Sequence, residues 1–184
     1  ALTIGHFKEP MGLDELTSSR FITFMERAVT SGFAPARNHG FMLSDFSDEL
    51  TWQAGYFYDT DAYGTGSDSD ATSLAGRVVY RPWLSNRGES LLHLGAAWNA
   101  RDGTKAVKFY PGSHMAPFSE SFSLTDPTTF GLEIAWTDGP LGIMAEQMSA
   151  EDGITGNTAS ATSIQASWFL GDQYRGYKTS SGAF

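Results

Sequence analysis

From about Phe41 onward, apolar and polar residues alternate with a period of two, in segments of roughly ten residues. Leu50, Trp52, Ala54, Tyr56 and Tyr58 fall on one side of such a segment, and Thr51, Gln53, Gly55 and Phe57 on the other. The same alternation sets Leu74, Gly76, Val78 and Tyr80 against Ala75, Arg77, Val79 and Arg81, and Leu92, Leu94, Ala96 and Trp98 against His93, Gly95, Ala97 and Asn99. It returns at Phe130–Thr137 and Ile164–Gly171. Successive side chains of a strand point to opposite faces, so a period of two is a strand signature that a helix does not satisfy. The predicted chain is therefore all-β, with one apolar and one small or neutral face per strand.

The links between segments carry a second regularity. Ser47-Asp48-Glu49, Ser85-Asn86-Arg87-Gly88 and Thr137-Asp138-Gly139-Pro140 are short enough to close hairpins. Between these pairs lie longer polar links at about 60–72, 102–127 and 150–160. Tight turns alternating with extended loops are how up-and-down transmembrane barrels are connected. A soluble β-sandwich also alternates its strand faces, so the pattern alone admits both. With 14% aromatics, 20 glycines and only 18% charged residues, the composition suits either. A net charge of −9 argues against a general nucleic-acid binder, which carries a basic footprint. The absence of cysteine removes disulfides and thiolate metal sites. No run approaches the roughly 18 apolar residues of a membrane-spanning helix.

One stretch breaks the period. After a strand at about Leu2–Lys8, residues Pro10 to Asn38 show no alternation. There, Phe21, Ile22, Phe24, Met25 and Val29 follow Thr17-Ser18-Ser19-Arg20 as an expected short helix, capped by Ser18 or Ser19. A loop this long in a compact domain is usually functional. It gathers Lys8, Arg20, Arg27 and Arg37, either as solvated charges or as a basic segment folded inside and narrowing a lumen.

The run Gly5-His6-Phe7-Lys8-Glu9-Pro10-Met11-Gly12-Leu13-Asp14-Glu15-Leu16-Thr17-Ser18-Ser19, followed by Thr23-Phe24-Met25-Glu26-Arg27-Ala28, resembles the phosphate-selective porin O and P family. Pro35-Ala36-Arg37-Asn38-His39-Gly40, Ala166-Ser167-Trp168-Phe169-Leu170-Gly171 and Tyr177-Lys178-Thr179-Ser180-Ser181-Gly182-Ala183-Phe184 extend the likeness from end to end. The resemblance implies a bacterial outer-membrane β-barrel of about sixteen strands, a homotrimer in a lipid bilayer faced with lipopolysaccharide. On that reading residues 1–9 are a strand, 10–38 the constriction loop, and 39–184 further antiparallel strands. Family members run to roughly twice this length, so about eight strands are expected here, as part of a barrel.

Selection in such a pore replaces an anion's hydration with cationic side chains, hydroxyls and N–H groups at a narrow waist. By the resemblance Ser18, Ser19 and Arg27 are the anion contacts, with Arg20 and Lys8 as nearby candidates. Arg77 and Arg81 share one strand face and are candidates for the pore wall, either guiding anions or paired with carboxylates. Asp14 and Glu15 stand where the resemblance implies a lysine, which argues against phosphate as the selected solute and leaves small anions or other small solutes. No cofactor is expected, and no catalytic constellation. His6, His39, His93 and His114 lack metal-ligand spacing, and Asp59, Asp61, Asp68 and Asp70 read as a solvated acidic loop before a Ca²⁺ site. Two other readings stay open. One is a secreted β-sandwich that binds carbohydrate through aromatics such as Trp98 or Trp136. The other is a barrel that mainly anchors a surface layer or envelope complex. The direction in which the aromatics face separates the sandwich from the barrel.

Overall fold

In a computed structural model, described for residues 1–66, 70–109 and 120–184, the alternating segments form strands as the period dictates. The main sheet comprises β1 (Leu2–Lys8), β2 (Arg37–Phe46), β3 (Leu50–Tyr58), β4 (Thr72–Ser85), β5 (Ser90–Asp102), β8 (Thr128–Asp138), β9 (Leu141–Glu151) and β10 (Thr158–Trp168). Two further strands, β6 (Thr104–Phe109) and β7 (Glu120–Thr125), form a separate hairpin inside the long link between β5 and β8. The eight strands pair antiparallel in chain order, β1-β2-β3-β4-β5-β8-β9-β10, and β1 and β10 are the edges of an open sheet among the described residues. No described helix is long and apolar enough to cross a membrane.

The expected helix at Phe21–Val29 does not form. The helical turns lie on either side of it, α1 at Leu13–Leu16 and a 3₁₀ turn at Val29–Gly32. Ser18 caps no helix: its hydroxyl accepts a weak bond from the Arg20 N–H at 3.4 Å. Its own N–H donates to the Phe184 carbonyl at 3.0 Å. The apolar spacing at 21–29 had no packed surface to serve, and Phe21, Phe24 and Met25 are exposed. The long link at 102–127 is likewise more ordered than its composition implies, because β6 and β7 pair along it.

Local chemistry explains the turns and one irregularity. Asn86 and Arg87 both have positive φ (45° and 58°), and the Gly88 N–H closes the turn on the Ser85 carbonyl at 2.9 Å. That is the hairpin geometry whose twist matches the flanking strands. In β4 the register to β5 shifts between Tyr80 and Trp83, so Arg81 and Pro82 oppose one residue. A bulge accommodates Pro82, which has no N–H for the ladder. It also resets the alternation, so that Trp83 is outward like Tyr80 while Arg81 is buried.

The two faces of the sheet are inverted relative to a soluble protein. The apolar side of every long strand is exposed: Leu132 is 60% and Phe130 57% accessible, while Glu133 between neighbouring strands is 4%. On the other face Arg77 and Arg81 are 2% and 0% accessible. That polar face is covered by residues 10–36, by the β6–β7 hairpin and by the segment after β10. Met11, Phe33 and Ala34 of the loop pack with Val107 and Leu124 of the hairpin against Ala97, Met148 and Ala150 of the sheet. Leu13 meets Tyr177, Ala183 and Phe184 over Leu91, Ala135 and Met144. Glycines make room where the covering is thin. A Cβ on Gly40 would meet the Tyr56 carbonyl oxygen and the Phe57 ring at 2.4–2.5 Å, so the ring of Phe57 lies flat over the strand.

Candidate functional site

The covered polar face is organised around carboxylates supplied by the strands and by α1. Glu146 of β9 accepts from the Leu13 N–H and the Thr30 hydroxyl, both at 2.7 Å. Asp14 accepts from the Ala28 N–H at 2.7 Å. Lys8 pairs with Glu15 at 2.6 Å, and the Arg27 guanidinium donates to the Asp14 and Thr17 carbonyls while lying 3.4 Å from Glu15. These bonds draw residues 10–36 across the face as a closed arch. They also give Asp14 and Glu15 a structural part: the two cations nearest Glu15 are the partners that hold it.

The five candidates in this region therefore separate. Lys8 and Arg27 are engaged with Glu15 and with loop carbonyls. Ser18 is tied to Phe184 through its backbone. Ser19 and Arg20 are exposed, and among the described residues the Arg20 guanidinium has no hydrogen-bonded or ion-paired partner. Arg77 and Arg81 do share a face, as the alternation implies, but both are buried beneath the final segment. Arg77 holds Glu133 at 2.7 and 3.0 Å and donates to the Ser181 and Gly182 carbonyls at 2.9 and 2.7 Å. Arg81 donates to the Ser47 and Asp48 carbonyls at 2.7 and 2.8 Å and lies 5.6 Å from the Tyr177 ring centre. His93 bridges Glu133 at 3.1 Å and the Tyr177 hydroxyl at 2.7 Å. The seven candidates are thus split between the arch, the exposed loop tip and a buried wall network.

A second polar cluster lies where the arch meets the long loops. Glu9, fully buried, accepts from Asn38 (2.6 Å), Ser73 (2.8 Å) and Asn99 (2.7 Å). Burial raises its pKa above the ordinary carboxylate value, opposed by those hydrogen bonds and by Lys105 and Arg101. Lys105 of β6 donates to the Phe33 carbonyl, and burial of its ammonium pushes its pKa down to about 7. The residue as a whole is half-buried, since its stem crosses the hairpin surface while the charged end points inward. Arg101 pairs with Asp59 at 2.6 Å. Asp152, in the link after β9, accepts from the Thr125 and Thr155 N–H groups at 2.6 and 2.7 Å, which lower its pKa to about 2. Asp61 uses its carboxylate on the N–H groups of Tyr63 and Thr65, closing its own loop. Asp68 and His114 lie outside the described residues.

Sequence reasoning did not single out Glu9, Lys105, Glu133, Glu146, Arg175 or Tyr177. Glu133 and His93 are visible in the alternation as polar residues on the inner side, but their meeting depends on the β5–β8 register. Arg175 sits in a segment with no period at all.

What this face and its outer counterpart can do chemically follows from the inversion. A carbohydrate-binding sandwich would bury the apolar side of its strands against a second sheet; here that side is exposed and the polar side is covered. Outward aromatics lie toward both ends of the strands, Phe46, Trp52, Tyr80, Trp83 and Trp168 near the short turns and Phe41, Tyr56, Tyr58, Trp98 and Phe130 near the long loops. Aliphatic side chains such as Leu43, Val78, Leu94 and Ile134 lie between. An apolar band flanked by aromatics is the lipid-facing surface of a transmembrane barrel.

Comparison with known proteins agrees with this geometry. The family model described as phosphate-selective porin O and P matches residues 1–184. A protein of Caulobacter vibrioides described only as uncharacterized is 27% identical over 199 residues, covering 96% of this chain and 40% of its own length. The chain thus spans less than half of that relative.

Proposed function

The chain belongs to the phosphate-selective porin O and P family, and on that premise we propose that it forms part of the wall and waist of a passive outer-membrane channel for small anions. The observation that carries this reading is the inverted sheet, with Leu132 and Phe130 exposed while Arg77, Arg81 and Glu133 are buried. Water rewards the opposite arrangement, by about 25 cal/mol per Å² of apolar area removed. A bilayer outside and a polar interior reconcile it.

In this reading the short turns face the periplasm and the long loops the exterior. Residues 10–38 form the constriction. Further strands complete a closed barrel of about sixteen on the free edges of β1 and β10, since unpaired edge groups in hydrocarbon cost several kcal/mol each. Trimeric assembly and contact with lipopolysaccharide belong to the same reading. The acids at the loop neck are offset in charge: Lys8 and Arg27 stand against Glu15, and they balance Asp14 beside it, whose carboxylate accepts from the Ala28 N–H. Arg20 at the loop tip supplies free positive charge.

Planar-bilayer recording of the full-length parent in chloride and phosphate gradients tests this. Ohmic channels with an anion-selective reversal potential are expected. Cation preference would keep the channel and remove the anion reading. Folded, detergent-extracted protein that never conducts would move the function to anchoring or binding.

A further inference from the structure

The exposed loop tip borders a cleft of about 570 Å³ between the arch and the segment after β10. Its walls hold two guanidinium groups, Arg20 and Arg175, and not one carboxylate. In a chain of net charge −9 that is an unusual place. The neighbouring cavity further along β10, of similar size, has Arg27 opposed by Asp14 and Glu26. Arg175 is held in position by neutral hydrogen-bond partners. It donates to the Thr23 hydroxyl at 2.6 Å and to the Met144 sulfur at 3.0 Å, and stands 5.3 Å from the Phe184 ring centre. These are neutral partners, and a guanidinium has five N–H donors in a fixed fork. Burial lowers the pKa of Arg175, and the Asp14 carboxylate, outside the cleft lining, acts in the opposite sense. Four aromatics, Phe21, Trp168, Phe169 and Tyr174, line the rest of the cleft beside polar side chains such as Gln173.

We infer that this cleft binds a small organic anion with an aromatic body, a carboxylate seated on Arg20 and Arg175 and its ring between Phe21 and Tyr174. The inference rests on the channel reading and names the solute class of its waist. A carboxylate suits planar N–H forks, which bind it through paired parallel bonds. Inorganic phosphate fits less well. Its four oxygens are all strongly hydrated, and an ion without an apolar body gains nothing from the aromatic walls. A ring placed there instead removes apolar surface from water.

The test uses the full-length parent in planar bilayers, with benzoate as the probe against a chloride current. Acetate supplies the charge without the ring, benzyl alcohol the ring without the charge, and phosphate the competing anion. Benzoate is expected to block in the millimolar range, and each of the other three roughly tenfold or more less effectively. Arg175→Gln and Arg20→Gln should each weaken the benzoate block by about tenfold, and Phe21→Ala by a few fold. Acetate or phosphate blocking as well as benzoate overturns the inference, as does a block that Arg175→Gln leaves unchanged. Should Arg175→Gln fail to fold, Arg20→Gln, at an exposed position, decides alone. Saturation-transfer NMR of benzoate on the detergent-solubilised protein separates the two readings. Binding without conductance refutes the channel and keeps the cleft. Conductance without block or binding keeps the channel and refutes the cleft.

Discussion

Glu133 is the residue on which the buried wall depends. It accepts from Arg77 twice and meets His93, all three being buried. A pair this deep adds little net stability compared with an apolar pair, yet breaking it leaves a buried charge unmatched. Glu133→Leu is therefore expected to lower unfolding stability by about 3–5 kcal/mol, read from the urea midpoint in lipid micelles. The double variant Glu133→Leu with Arg77→Met should recover part of that loss. A single-variant loss under about 1 kcal/mol would mean the network is solvated and the wall open. The alternation already assigns Arg77, His93 and Glu133 to one side of their strands. It does not say that they touch, because contact across β4, β5 and β8 requires the register of two ladders and the bulge at Pro82.

At the scale of elements, the β6–β7 hairpin is held over the sheet by Val107, Leu124 and the Lys105 bond to Phe33. Its docking should depend on pH through Lys105, whose ammonium faces Glu9, Asp59 and Glu15 as well as Arg101. The docked lysine releases its proton at about 7, whereas the detached one does so near its ordinary 10.5. Between those values the detached hairpin binds more protons, so docking strengthens as pH rises through that window. Below it, the cost of burying the charge is fully present. The unfolding midpoint of the natural protein, set against Lys105→Met, should thus show a deficit that shrinks from pH 6 to pH 10. A constant difference would show that Lys105 titrates as an exposed lysine. The hairpin itself lay hidden in a link whose Gly, Ser and Pro content resembles any outer loop. The helix expected at Phe21–Val29 failed for a related reason. Helical spacing becomes a helix when one stripe is buried, and here those side chains stay exposed while Leu13–Leu16 packs.

For the whole molecule, the decisive quantity is which solvent touches the apolar face. Leu132→Arg places a cation at the centre of that face, and in a bilayer should cost about 2–4 kcal/mol. Reversible unfolding from lipid vesicles measures it, and the nearby inner-face change Gly131→Ala, whose added methyl meets only ordinary contacts, serves as the control. A cost near zero would mean that the face meets water. This much was written in the sequence: strands, because a period of two is local; hairpin order, because short and long links alternate along the chain; and family, because the run from Gly5 to Ala28 is long and specific. Which face turns inward was not, since alternation is symmetric and a sandwich shares it. The packed arch decided that, by carrying Met11, Leu13 and Phe33 onto the polar side and leaving the apolar side bare. The same folding drew Lys8 and Arg27 onto Glu15 and brought Arg175 from the far end of the chain beside Arg20. Which charges meet is a matter of distance in space, and Arg20 and Arg175, more than a hundred positions apart, become neighbours only when the chain folds.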